Sequence, residues 1–210
     1  MTDPERTAVV LAGGYSIRFG IGDKALAVID GQPMLVQVID RLTPAVDTVV
    51  VSCRAEQRYD FERALGSAGL ASSTQFAIDP VPDRGPLAGI RNAFERIGSE
   101  YAAVVACDMP HVDPTFLEFL FDHTGGADAV VPELEGGTLQ PMHAVYHVER
   151  VRSVADQLLA RDRRSLHGAL DRLDATVIPA ATVAEQTDPR SLYDVNSPAD
   201  IDSLSTDSSG

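Results

Sequence analysis

Apolar runs of five or six residues, bounded by turn residues, alternate along this chain with longer amphipathic segments. The runs at 7–12 (TAVVLA), 47–52 (DTVVVS) and 101–106 (YAAVVA) are continuous rather than alternating. That is the pattern of strands buried on both faces. Weaker strand signals lie at 74–79, 127–131, 142–146 and 176–179. The helical period predicts helices over 33–42, 55–65, 86–97, 113–123, 151–160, 165–173 and 198–204. Asp113 followed by Pro114 reads as an N-cap and a first helical position. The segment 193–198 reads as a short strand running into the last helix. Strands alternating with helices predict an α/β fold: a three-layer, Rossmann-like, mostly parallel mixed sheet with helices on both faces. One domain over 1–204 suits a chain of 210 residues, with 205–210 (STDSSG) a solvated, disordered tail.

Sheets of this kind bind ligands at the carboxyl ends of their strands, so the residues that follow each strand carry the functional signal. After the first strand come Leu11, Ala12, Gly13 and Gly14, then Arg18, Gly20, Gly22, Asp23 and Lys24. Glycines this dense let backbone N–H groups approach a phosphate, and Arg18 and Lys24 add positive charge. The spacing matches neither G-x-G-x-x-G nor G-x-x-x-x-G-K-[ST]. The alternative is a glycine-rich turn that only reverses the chain. After the third strand, Asp79 is placed to accept hydrogen bonds from a base or ribose, and Gly85-Pro86 opens a helix whose free N–H groups face a ligand or merely start the helix. After the fourth, Asp108 in Cys107-Asp108-Met109-Pro110 is either a divalent-cation ligand or a helix cap. Near the end, Asn196 bonds a phosphate or the waters of a metal, or belongs with Ser197 to a helix cap.

Charge sharpens this picture. Lys+Arg number 17 against 31 Asp+Glu, a net charge of −14. A surface this acidic repels phosphate backbones, which argues against nucleic-acid binding. The acids are 21 Asp and 10 Glu, and among the cations 16 are Arg and only Lys24 is lysine. Asp-rich, Lys-poor surfaces stay soluble at high salt, where repulsion is screened. Stability is therefore expected to fall on dilution into low salt; equal melting temperatures at low and multimolar salt would contradict this. The single lysine also marks a position that needs a compact point charge, where a planar guanidinium does not serve.

Other chemistries are disfavoured. No apolar run approaches the roughly 18 residues that span a bilayer, and residues 1–7 lack a signal-peptide pattern. The expectation is a cytoplasmic protein without membrane contact. Cys53 and Cys107 form no Cys-x-x-Cys pair and read as small buried residues in a reducing compartment. The five histidines lack His-Glu-x-x-His spacing, and no Gly-x-Ser-x-Gly elbow occurs. Of the histidines only His143, in PMHAVY, sits in a distinctive segment. A nicotinamide-dependent oxidoreductase lacks its glycine fingerprint here, and a non-catalytic nucleotide binder would have no need of Lys24 and Asp108.

Taken together, these segments resemble the molybdenum cofactor guanylyltransferase family. The matching pieces are LAGG at 11–14 with Arg18, Gly20, Asp23 and Lys24; Gly31-x-Pro33; GPLAG at 85–89; CDMP at 107–110; PMHAVY at 141–146; and DVNSP at 194–198. They run in the family's order across residues 7–203. The resemblance implies that Leu11, Ala12, Gly13, Gly14 and Lys24 hold GTP, with Asp79 and Gly85 beside it. It implies that Asp108 binds nucleotide and Mg²⁺, and that Asn196 lies at the pterin or metal side. Ser52 stands where the family usually has Asn, and Phe19 where it often has Met. The implied reaction joins GMP from GTP to the phosphate of molybdopterin and releases pyrophosphate, with Lys24, Asp108 and Arg18 as the catalytic groups. Rivals within the class are cytidylyl transfer to molybdopterin and guanylyl transfer to phospholactate or cobinamide phosphate. Transient contact with cofactor-synthesis proteins or molybdoenzymes would follow.

Overall fold

A computed structural model describes residues 5–14, 23–81, 83–196 and 200. Its centre is a seven-stranded sheet. The strands are β1 (Thr7–Leu11), β4 (Thr48–Cys53), β5 (Thr74–Ile78), β6 (Tyr101–Ala106), β7 (Ala129–Pro132), β8 (His143–His147) and β9 (Ala175–Ile178). A separate two-stranded hairpin joins β2 (Val28–Ile29) to β3 (Gln32–Pro33). The order across the large sheet is β5-β4-β1-β6-β8-β7-β9. β8 runs antiparallel to both neighbours, and every other pairing is parallel. The mixed, mostly parallel sheet expected from the sequence is what the structure shows.

The period-2 alternation of the strands divides the core into two layers. Ala8, Val10, Val49, Val51, Ala103 and Val105 face one side. There they meet α1 (Met34–Leu42), α2 (Arg58–Ser67), α4 (Pro114–Asp122) and α7 (Ala180–Gln186) through Leu35, Ile39, Phe61, Phe116, Leu120 and Val183. Val9, Val50, Ala102 and Val104 face the other. They pack on α3 (Pro86–Phe94), α5 (Val148–Leu159) and α6 (Leu166–Leu170) through Leu87, Ile90, Val151 and Leu166. Helices thus cover both faces. At α4 the Asp113 carboxylate accepts from the N–H groups of Thr115 and Phe116, and Pro114 takes the first helical position.

Several expectations need correction. Pro33 precedes α1 as its N-cap instead of lying in its first turn. α2 starts at Arg58 because residues 55–57 form a turn, and α5 starts three residues early, at Val148, capped by His147. The helix expected over 165–173 spans only Leu166–Leu170. Residues 193–196 form no strand; they follow a 3-10 turn at Pro189–Leu192, and the Val195 N–H bonds the Asp108 carbonyl instead of a sheet edge. α7 and the β2–β3 hairpin have no counterpart in the expected elements. The final helix at 198–204, the tail at 205–210, and Ser197 as a cap lie outside the described residues. Cys53 and Cys107 are buried and free, as expected; burial pushes the Cys53 thiol up to about 12, so it stays protonated at neutral pH.

His143, in β8 opposite Val105, is fully buried and tilted against the Phe116 ring at 5.7 Å. Neither ring nitrogen has a hydrogen-bond partner among the described residues. Burial holds its pKa down at about 4, a pull that nearby Asp113 only partly offsets. An unfolded chain takes up this proton near pH 6.5. Between pH 6.5 and 4 the unfolded state therefore binds more protons, and stability falls with falling pH. The loss from this residue should reach about 3 kcal/mol at pH 4. Urea melts of His143→Leu should show a flatter dependence over that range than the wild type; equal slopes would contradict the assignment.

Candidate active site

The strand order creates the site. The chain after β1 passes to β4 on one side, while β6 lies on the other, so the loops leaving β1 and β6 part above the sheet. Such a reversal opens a crevice at the strand ends. Backbone bonds carry the ladder just past those ends: Ala12 N–H to Ser52 O at 2.9 Å, Cys107 N–H to Leu11 O at 3.1 Å, and Asp79 N–H to Cys53 O at 2.9 Å. Beyond them a cavity of about 790 Å³ opens. That volume suits a nucleotide-sized ligand.

Leu11, Ala12, Gly13, Gly14, Lys24, Ser52, Asp79, Gly85, Asp108 and Asn196 all line this cavity. The sequence singled out each of them. Arg18 lies outside the described residues. Asp83, Asn92, Met142 and Leu159 also line the cavity, as do the cations Arg84 and Arg91, and none of these was expected as a site residue.

At one end the Lys24 ammonium donates to Asp108 Oδ2 at 2.7 Å. The two side chains are 14% and 23% exposed, so the pair is shielded yet reachable from the cavity. Lys24 begins a 3-10 turn whose N-cap is Asp23, the Asp23 carboxylate accepting from the Ala25 N–H at 3.0 Å. Asp108 thus pairs with Lys24, while the cap of α4 is Asp113. Asp194 stands beside them. Its side chain meets solvent, yet enclosure by protein pushes its carboxyl up to about 6, the Asp108 charge adds to the rise, and Lys24 opposes it. The Asn196 carboxamide donates to the Asp194 carbonyl at 3.5 Å.

At the other end Ser52 Oγ donates to Asp79 Oδ1 at 3.2 Å. Burial raises the Asp79 pKa, and the Ser52 hydroxyl, the Asn92 amide and the Arg54 charge pull it back. Two glycines make room for this pair. A Cβ on Gly13 would lie 2.7 Å from Asp79 Oδ2, and one on Gly89 would lie 2.8 Å from Ser52 Oγ. Any larger residue would push the carboxylate or the hydroxyl aside. Gly85 is the N-cap of α3, with Pro86 in the first turn, so the helix start faces the cavity.

The arrangement can grip a triphosphate at the Lys24–Asp108 end and a hydrogen-bonding base or sugar at the Ser52–Asp79 end. A family model described as the MobA-like NTP transferase domain matches residues 8–176. The chain belongs to the MobA-like NTP transferase family. It is 42% identical over 199 residues to a probable molybdenum cofactor guanylyltransferase of Natronomonas pharaonis, covering 94% of this chain and 96% of that protein. A probable molybdenum cofactor guanylyltransferase of Haloferax mediterranei is 34% identical over 204 residues, covering 97% and 95%. In fold, the molybdopterin-guanine dinucleotide biosynthesis protein A of Archaeoglobus fulgidus superposes with a TM-score of 0.78 at 23% identity, covering 97% of this chain and 98% of that one. Among the described residues no helix is long and apolar enough to cross a membrane.

Proposed function

We propose that this protein transfers GMP from GTP to the terminal phosphate of molybdopterin, releasing pyrophosphate. The observation that carries the reading is the Lys24–Asp108 pair, 2.7 Å apart, from separate crossovers of the sheet and opening into the glycine-loop cavity. Relatives that share most of the chain's length are named probable molybdenum cofactor guanylyltransferases.

The acceptor phosphate is already an anion, so no strong general base is needed. An acceptor oxygen bonds to the α-phosphorus as the bond to the bridging oxygen breaks, and the pyrophosphate carries away that electron pair. The barrier lies in bringing anions together and holding the charge that builds on the leaving group. Lys24 and the N–H groups of the Gly13–Gly14 loop supply fixed positive potential there. Arg18, in the same glycine-rich stretch of sequence, is assigned to the leaving pyrophosphate on chemical grounds.

The residues suit Mg²⁺. That ion takes one or two carboxylates and fills its shell with phosphate oxygens and water. Asp108 offers one carboxylate at the phosphate end, and no cluster of three or more acidic, His or Cys side chains builds a protein cage among the described residues. When bound, Mg²⁺ would offset the charge of the phosphate oxygens. Asn196 belongs to the pterin or metal side of the site.

The Asp79 carboxylate suits guanine, which presents two adjacent N–H donors on one edge. Ser52, shorter than the Asn usual in the family, favours a second reading in which another base is used. Incubation with each NTP, Mg²⁺ and molybdopterin, following pyrophosphate, separates the two. Release with GTP, and little with CTP, is expected. Release with CTP alone, or only with a different phosphorylated acceptor, would overturn the guanylyl assignment. The reading places the protein in the cytoplasm, in transient contact with cofactor-synthesis proteins or molybdoenzymes.

A further inference from the structure

The turn after β4 matches no nucleotide motif, yet the glycine loop is anchored there. Arg54 follows the last residue of β4 and is 7% exposed. Its Nη1 donates to the Gly13 carbonyl at 2.8 Å and the Gly14 carbonyl at 2.9 Å. Its Nε donates to Glu56 at 2.8 Å, and Nη2 lies 3.6 Å from Asp23 Oδ2. Gln57, also buried, accepts the Arg54 N–H at 2.8 Å. Its amide donates to the Ala12 carbonyl at 3.0 Å and to the Asp23 carboxylate.

Two side chains from one turn therefore hold both ends of the phosphate loop. One end is Ala12-Gly13-Gly14. The other is Asp23, which caps the turn that carries Lys24. Burying a guanidinium is costly unless its donors are satisfied, and here the Gly13 and Gly14 carbonyls, Glu56 and Asp23 are among its acceptors. Holding the Gly13 carbonyl also aims the next N–H. In a trans peptide the two point in opposite directions, so the Gly14 N–H faces away from Arg54. Both glycines line the cavity.

We propose that Arg54, seated by Gln57, is a positioning residue for nucleotidyl transfer: its guanidinium fixes the Gly13–Gly14 carbonyls and Asp23 in one frame, and so sets the loop N–H groups and Lys24 against the triphosphate. Arg54 does not line the cavity and acts chiefly at the phosphate end, its charge also lowering the Asp79 pKa. The inference rests on the proposed function.

Arg54→Met keeps the buried stem and removes the donors. It should bind Mg²⁺-pyrophosphate and Mg²⁺-GTP about tenfold more weakly, the scale of one charge-assisted hydrogen bond. Its kcat for pyrophosphate release should fall about 10²-fold, as misplaced reacting groups cause. Guanosine, held at the Ser52–Asp79 end, should lose much less affinity than pyrophosphate, and Arg54→Lys should recover part of the loss. A purely structural arginine would weaken guanosine and pyrophosphate alike. Equal losses for both ligands, or unchanged pyrophosphate affinity and turnover, would overturn the proposal. Should Arg54→Met not fold by circular dichroism, the same comparison on Arg54→Lys, which keeps a buried cation, decides by the same criteria. A wild-type protein that neither binds GTP nor releases pyrophosphate would refute the proposed function instead, so the two failures are distinct.

Discussion

Replacing Lys24 by alanine is expected to lower the rate of pyrophosphate release from GTP by about 10²–10³-fold, the usual cost of one preorganised donor to a developing anion. The fold should survive. Lys24 belongs to neither hydrophobic layer, and the Asp108 it leaves behind keeps access to the cavity. Melting temperature and single-turnover rate should therefore separate, the rate collapsing while the melt barely moves. Lys24→Arg should stay well below wild type, because a planar guanidinium cannot reproduce a point ammonium 2.7 Å from Asp108 in so narrow a space. Wild-type turnover in Lys24→Ala would remove the triphosphate from this end of the cavity.

Asp108→Ala should cost a similar factor, about 10²–10³, by a different route. The carboxylate pairs with Lys24 and is offered to the metal at the phosphate end. Its loss should abolish the steep dependence of rate on Mg²⁺ at low concentration and leave only a weak response at high concentration. Asp108→Asn retains an acceptor for the ammonium but not the charge, so it should hold the melting temperature without restoring the metal response. A variant that keeps both rate and Mg²⁺ dependence would show that Asp108 serves Lys24 alone.

Much of this was legible before the structure. Strands buried on both faces announce themselves as continuous valine and alanine runs, and β6 occupies the very residues that its run marks out. The Asp113–Pro114 start of α4 was readable because capping is local chemistry. Asp79 and Asp108 were found because they lie one and two residues past strand ends, and the strand order brings them to one cavity. What escaped was short or disguised. β2 and β3 have two residues each, too few to show a period. α7 buries only Val183. Arg54 stood in the same position as Asp79, one step past a strand. In a chain whose cations are almost all arginine, nothing in its identity set it apart. The pairing of Asp108 with Lys24 could not be read locally, since the two are 84 residues apart.

The most direct test is a crystal structure with Mg²⁺ and a non-hydrolysable GTP analogue. The account predicts phosphate oxygens within hydrogen-bond reach of Lys24 Nζ and the Gly14 N–H, the metal against Asp108, and guanine at Ser52 and Asp79. Phosphates bound elsewhere, or a nucleotide that touches Asp79 but leaves Lys24 and Asp108 paired and untouched, would contradict it.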